Sequence, residues 1–576
     1  MKRLLSAMSA ALVAIGVSAG CGSILGLDGL KNFSDGGSSD GRGTDPNPDA
    51  EGAVTASKVD LLIVVDDSTT MAAKATLLAS SIGTLLRKVT SLAPDVHVGV
   101  ITTSLGTMGG DVCVANASQN RLAHLSTLGI GGGTVGGAED GVLRYGGGGP
   151  SDIDALVSAT QSLVRGVGQS GCGFEAQLES AYRFLVQPDP WAHVIVNGDI
   201  ADYQGIDDDL LAQRKAFLRP DSLVVVLLLT DKEDRSADPR SLGGLGWAFE
   251  NNTFPGSTSR RPDNQTTTAP RGTSVCEKTP ASRDCVSCAC KTADPACSAS
   301  RTDPQCQNNG GYYGTTGDQL NVRFFNMKQR FGVDPQFPIT RYSDGFTKSK
   351  VSDRNGEHAV IDGAVSEYLA KPSCTNPLFA ASLPDPKGEL CNLAKGPRGK
   401  ELVLFAVIGG VPAGLVSNDA DIDWMKVVGK DPAAFDLDGI DLHMVESTSM
   451  RGDLAKPSTL RGDNGNDPVH GREWTTDGDD LQFACTFGLS APRKCTLAEL
   501  DCECAQITKN PPLCGAVSGE QIRDRAYPTI RPLRVVKALG SRGIAGSICP
   551  SSNADGYTTT MNVLAERINS RMRGSN

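Results

Sequence analysis

The stretch Lys58 to Met71 reads KVDLLIVVDDSTTM, an almost unbroken apolar run that gives way to two carboxylates and three hydroxyls. Val59 to Val65 is too short and too rich in β-branched residues for a buried helix. A continuous apolar run of this kind suits a parallel strand covered on both faces. Asp66, Ser68 and Thr70 then fall at the strand's carboxyl end, where open α/β sheets bind ligands at a switch in strand order. Asp-x-Ser-x-Thr sets hard oxygen donors at alternate positions of a turn, the ligand type that Mg²⁺, Mn²⁺ or Ca²⁺ prefers.

Working outward, Met71, Ala75, Leu78, Ile82, Leu85, Leu86 and Val89 recur at helical spacing, and Val96, Val98 and Val100 alternate before Ile101. Strand, helix and strand open a βαβ pattern. Asp152 to Arg165 and Glu175 to Leu185 read as further helices, while the glycine-rich segment from Gly106 to Gly149 is assigned to no element. Leu223 to Leu229 is a second continuous apolar strand, and it runs straight into Thr230 and Asp231, repeating the geometry of the opening stretch. Leu402 to Ile408 gives another strand, and the chain closes with a helix near Leu533 to Leu539, a strand at Ile544 to Ile548 and a helix with Met561, Leu564, Ala565 and Ile568 on one face. The long stretches between these strands exceed what a compact domain carries as bare loop.

Asp66, Ser68 and Thr70, with Asp231 at the second strand end, resemble the metal-ion-dependent adhesion site of von Willebrand factor A domains. The family's first loop is Asp-x-Ser-x-Ser, and Thr70 keeps the hydroxyl. The resemblance implies an α/β fold: a Rossmann-like, doubly wound, mostly parallel sheet with helices on both faces. The core would span 58–572, interrupted by a Cys-rich insertion over 235–400 and a second insertion over 412–532. It also implies Mg²⁺ (or Mn²⁺ or Ca²⁺) held by Asp66, Ser68, Thr70 and Asp231. The family's middle-loop threonine aligns near Cys172, and Glu175, about one helical turn further on, is the candidate for the missing ligand place. With Glu175 beside Asp66 and Asp231, a bound divalent ion leaves a formal charge of −1, so an acidic ligand is expected to bind less readily. The competing reading is that Asp66 and Asp231 cap the helices that follow their strands. Cys113 and Cys172 both fall near the metal face, and a bridge between them would pin the middle loop. The segments GCGFE, RYSDGF, HMVES, GREW and SICP resemble a family of large exported bacterial A-domain lipoproteins with no established activity.

The 576 residues hold 66 Asp and Glu against 55 Lys and Arg, a balance that disfavours a general nucleic-acid binder. Lys2 and Arg3 precede an apolar run from Leu4 to Val17 that is too short to span a bilayer and reads as an export signal. Ser18-Ala19-Gly20-Cys21 resembles a bacterial lipobox, which makes Cys21 the lipidated residue and 1–21 the signal; an ordinary secretory signal is the alternative. The segment 22–57 is rich in Gly, Ser, Asp and Pro and reads as a disordered tether, with a reach on the order of 30 Å. Gly22 lacks the aspartate associated with inner-membrane retention, so the expected address is the cell envelope, at the outer membrane.

Of the 17 cysteines, setting Cys21 aside leaves 16, enough for eight disulfides in an oxidising compartment. Cys285-x-x-Cys288-x-Cys290 has the look of a zinc motif, but no His lies near it, and export favours disulfides. His443 and the Asp436-x-Asp438-Gly439 turn are weaker candidates for a role, and the Arg-Gly-Asp triplets at Arg451 and Arg461 read as incidental loop sequence. No nucleophile, base and orienting group assemble at catalytic spacing, so the chain does not read as an enzyme. It reads as a binding or adhesion-type module that takes a protein or glycan ligand at its metal face. The alternative is a metal-free scaffold whose contacts are made by the disulfide-rich insertions.

Overall fold

The computed structural model describes residues 56–572, apart from 114–115, 117, 150, 291–294, 362–363, 453, 457–461, 464, 498, 500–501 and 506–507. The export signal, Cys21, Arg461 and nearly all of the tether lie outside the described residues. Six strands form the central sheet: β1 (Lys58–Val65), β2 (Asp95–Thr102), β3 (Val142–Gly146), β4 (Leu223–Leu229), β5 (Val403–Gly409) and β6 (Gly543–Ser547). Their order across the sheet is β6-β5-β4-β1-β2-β3, all parallel except β3, which runs antiparallel to β2 at the edge. The edge strand lies in the glycine-rich segment that periodicity left unassigned. Five residues with one exposed arginine among them carry too little alternation to register as a strand.

Six helices flank the sheet: α1 (Ala72–Leu92), α2 (Ile153–Gly166), α3 (Gln177–Leu185), α4 (Asp208–Phe217), α5 (Ile530–Leu539) and α6 (Thr558–Met572). The run Leu61 to Val65 is apolar throughout because both of its faces are covered. Leu61, Ile63 and Val65 pack with Leu78, Ile82 and Leu85 of α1, Leu163 of α2 and Leu564 of α6 in one layer. Leu62 and Val64 face the other layer, with Phe184 of α3, Phe217 of α4 and Val536 of α5. The interruption at Asp60 is resolved at the amino end of β1, where its buried carboxylate accepts from the Arg219 backbone (2.8 Å) and from Arg219 Nε (2.7 Å).

The segments between β4 and β5 and between β5 and β6 contribute no strand to this sheet. The first holds short helical turns, and the second holds an antiparallel hairpin of Cys485–Lys494 with Glu520–Ala526. Disulfides staple both. Cys276–Cys285, Cys288–Cys306, Cys290–Cys297 and Cys374–Cys391 lie in the first segment, and Cys495–Cys502 and Cys504–Cys514 in the second. Cys485–Cys549 ties the hairpin to the loop after β6. With Cys113–Cys172 the bonds number eight, so the Cys285-x-x-Cys288-x-Cys290 cluster has no free thiolate to offer a metal.

Candidate functional site

The chain lays down β1, β2 and β3 in one direction and then returns to place β4 on the other side of β1, so strand order switches between β1 and β4. Val65 and Leu229 are register partners at the ends of those strands, and the pairing continues outward as Asp66 N–H donates to the Leu229 carbonyl (3.0 Å). Asp66 and Asp231, distant in sequence, are therefore delivered to one spot, the crevice at which open sheets bind ligands.

The two loops are laced together. Ser68 N–H donates to Asp66 Oδ1 (2.9 Å) and folds the first loop into a turn. Thr70 hydroxyl donates to Asp231 Oδ2, and Thr230 hydroxyl donates to Asp66 Oδ2, each at 2.7 Å. Neither aspartate caps a helix: α1 starts after Met71, and the next helical turn beyond Asp231 begins only at Ser241. The middle loop docks from the side, with Gly171 N–H on the Asp67 carbonyl (3.0 Å), Cys172 N–H on Ser104 Oγ (2.8 Å) and Ala176 N–H on the Thr103 carbonyl (2.9 Å). Cys172 is bonded to Cys113 with a Cα–Cα distance of 5.6 Å. Glu175 is buried, and its Oε1 accepts from Lys232 Nζ at 2.9 Å.

A Cβ on Gly171 would sit 2.4 Å from Asp67 Cγ and 2.6 Å from Ser104 Oγ. Gly171→Ala is therefore expected to push the middle loop off the first and to cost about 1 to 3 kcal/mol, read as a lower midpoint in thermal or denaturant unfolding. An unchanged midpoint would show that the loops are not locked in this way.

Several groups were not singled out from sequence. Thr230 supplies the hydroxyl that touches Asp66, and Gln177 supports it with an Nε2 hydrogen bond (2.9 Å). Lys74 of α1 is fully buried and donates to Asp231 Oδ2 and Asp524 Oδ1, each at 2.7 Å. Its position on the apolar face of α1, beside Ala75 and one turn before Leu78, was the available signal. Arg525 approaches Asp231 Oδ2 at 3.6 Å and also pairs with Glu503, and Tyr527 N–H donates to the Asp231 carbonyl (2.8 Å). These last contacts come from the hairpin and the chain leaving it, which cover the site, and nothing local in sequence points to them.

The electrostatics follow from burial. Removal from water pushes the Asp66 carboxyl up to about 7, with Glu175 and Asp231 adding to the effect. Burial opposes ionisation of Asp231 as well, but the Lys74 ammonium outweighs it, with Arg525 and Lys232 behind, and holds Asp231 well below the usual carboxylate range. Burial likewise works against a charged Lys74, yet Asp231 and Asp524 keep its proton in place and raise its pKa. The three sequence-designated carboxylates, with Asp524 and Glu503, face Lys74, Lys232 and Arg525, which leaves a formal −2. A divalent ion would bring this set to neutrality, whereas with the three designated carboxylates alone it would leave −1.

Three of the five designated ligands keep a buried oxygen with no hydrogen-bond partner: Ser68 Oγ, Glu175 Oε2 and Asp231 Oδ1. Such atoms are costly in a low-dielectric interior, and hard oxygens of this kind fit Mg²⁺ or Mn²⁺. The carboxylates are not all gathered, however. Asp66, Glu175 and Asp231 do not bring one oxygen each within 4.8 Å of the other two. Beside Thr69, Thr70 and Lys232 opens a cleft of about 680 Å³ that Glu503, Arg525 and Tyr527 also line. Compared with known proteins, the chain matches no family model, no curated protein and no solved structure.

Proposed function

We propose that this chain is a von Willebrand A type protein, lipid-anchored through Cys21 to the bacterial cell envelope at its outer membrane, that binds a protein or glycan ligand at a divalent-metal centre. Asp66, Ser68, Thr70 and Asp231 would hold Mg²⁺, or Mn²⁺ or Ca²⁺, with Glu175 in the ligand place of the family's middle-loop threonine. The observation that carries this reading is the set of unpartnered buried oxygens on Ser68, Asp231 and Glu175, drawn from three loops that meet at one strand switch. The ion's part is to offer an open position to a ligand oxygen. The chain's own groups would orient that ligand: Thr70, Lys232, Arg525 and Tyr527 all line the cleft. In pull-downs from envelope extracts, recovery of the ligand is expected to need the divalent ion and to be lost in Asp66→Ala. Equal recovery with chelator and in the variant sinks the reading.

One observation favours a second reading. Lys74 Nζ already lies 2.7 Å from both Asp231 and Asp524, so a fixed ammonium stands where a scaffold without metal needs a positive charge. In that case the sheet supports the two disulfide-stapled segments, and these make the contacts.

A further inference from the structure

A second cluster lies far along the chain, in the segment between β5 and β6. His443 sits in the short turn Leu442–Met444, whose start is capped by Asp441. Asp467 and His470 share a tight loop closed by reciprocal backbone hydrogen bonds between Asp467 and Gly471 (3.0 and 2.9 Å). Each ring is gripped from behind by a carboxylate: His443 Nδ1 lies 2.6 Å from Asp441 Oδ1, and His470 Nε2 lies 2.6 Å from Glu473 Oε1. Glu473 is itself fixed by Arg451, through its backbone N–H (2.8 Å) and its Nη2 (2.7 Å).

A carboxylate takes the N–H of the imidazole that faces it, and this sets the tautomer. Both rings turn their remaining nitrogen toward a third carboxylate, Asp467, to which His443 Nε2 is hydrogen-bonded. His443 Nε2 is 2.9 Å from Asp467 Oδ2 and His470 Nδ1 is 2.8 Å from Oδ1. Asp467 Oδ1 already accepts the backbone N–H groups of Val469 (2.8 Å) and His470 (3.0 Å). His470 Nδ1, on a fully buried side chain, has no hydrogen-bond partner at all. Two ring nitrogens and an anion thus converge, and either a proton on each ring or a cation must sit among them. Among the described residues this is the only group of three His, Cys, Asp or Glu side chains whose ligand atoms all lie within 4.8 Å of one another.

We propose that His443, His470 and Asp467 form a binding site for a divalent transition-metal ion of the Zn²⁺ class. Two imidazole nitrogens and one carboxylate are the donors that such ions take, and Mg²⁺ and Ca²⁺ do not favour them. At bond lengths of about 2.0 to 2.2 Å a tetrahedral ion holds its ligand atoms roughly 3.3 Å apart, so the present contacts need open by only about half an ångström. Asp441 and Glu473 are the outer carboxylates that orient ligating histidines. The charge also closes: Asp441, Asp467 and Glu473 against Arg451 leave a formal −2, which a divalent ion cancels while both rings stay neutral. His443 keeps 12% of its side chain exposed, so the cluster is reachable from solvent. The site stands apart from the Asp66 centre and does not depend on it. The competing state, two imidazolium rings paired with the same carboxylates, is a structural ion network with no metal.

Cobalt distinguishes the two, because Co²⁺ in a four- or five-coordinate nitrogen and oxygen site absorbs visibly. The full exported chain, disulfides intact, is stripped with chelator and titrated with Co²⁺ in excess Mg²⁺. The expected result is one equivalent of visible band per chain, displaced by Zn²⁺ and retained in Asp66→Ala. His443→Gln is expected to abolish the band while the metal-free variant melts within a few degrees of the parent. Asp441→Asn is expected to weaken binding about 10- to 100-fold, and it decides alone if His443→Gln does not fold. No band from a natively folded chain, a band unchanged in His443→Gln, or an unaltered affinity in Asp441→Asn overturns the proposal.

Discussion

Lys74→Met is expected to cost about 3 to 5 kcal/mol of folding stability, because it removes one partner of a buried ion pair and strands the other. The ammonium is inaccessible to solvent and bridges Asp231 and Asp524, of which the first is equally buried. Methionine fills the same space between α1 and the sheet, so the loss is of charge rather than packing. Arg525, at 3.6 Å from Asp231 and shared with Glu503, makes up only part of it. The variant also separates the two functional readings. With the ammonium gone, a divalent ion is the natural counter-charge for Asp66 and Asp231, so millimolar Mn²⁺ is expected to restore part of the lost melting temperature. In a scaffold that never takes metal, Mn²⁺ leaves the melt where it was.

Replacing Cys113 and Cys172 together by serine is expected to remove about 3 to 4 kcal/mol. The bond closes a loop with a sequence separation of 59, and the loop-closure estimate rises with length. The same change should weaken divalent binding, since Cys172 N–H on Ser104 and Gly171 N–H on the Asp67 carbonyl hold the middle loop against the first. Glu175→Gln, by contrast, leaves the bridge in place and costs chiefly the pairing with Lys232. Denaturant unfolding of both variants, with and without Mn²⁺, tests this. If the serine pair loses stability but binds Mn²⁺ as the parent does, the loop's order and the metal centre are unconnected.

How far the sequence reaches depends on the kind of signal each element carries. β1, β4 and β5 were legible because a central strand buried on both faces writes a continuous apolar run. α1 was legible from its helical spacing, Lys74 included, although a lysine on that face was not recognised as a partner for Asp231. Edge strand β3 was not legible, since five residues ending in glycine lack a period to detect. At the site, Asp66, Thr70 and Asp231 fall together because each follows from a readable strand, whereas nothing local marks Thr230 as the partner of Asp66. Asp524 and Arg525 reach Asp231 only through tertiary folding of a hairpin, more than four hundred residues from Lys74 in the first case. His443 illustrates the same limit. Alone it is an unremarkable turn residue, and only the fold sets His470 and Asp467 against it.

The central claim is that the Asp66 face holds a divalent ion, and calorimetric titration of the metal-free chain with Mn²⁺ tests it most directly, with Asp66→Ala alongside and the His443 cluster removed by His443→Gln in both. The account predicts one saturable heat per chain in the parent, lost in Asp66→Ala and accompanied by a rise in melting temperature as Mn²⁺ is added. No heat and no thermal shift from a natively folded parent, or the same heat in Asp66→Ala, would contradict it.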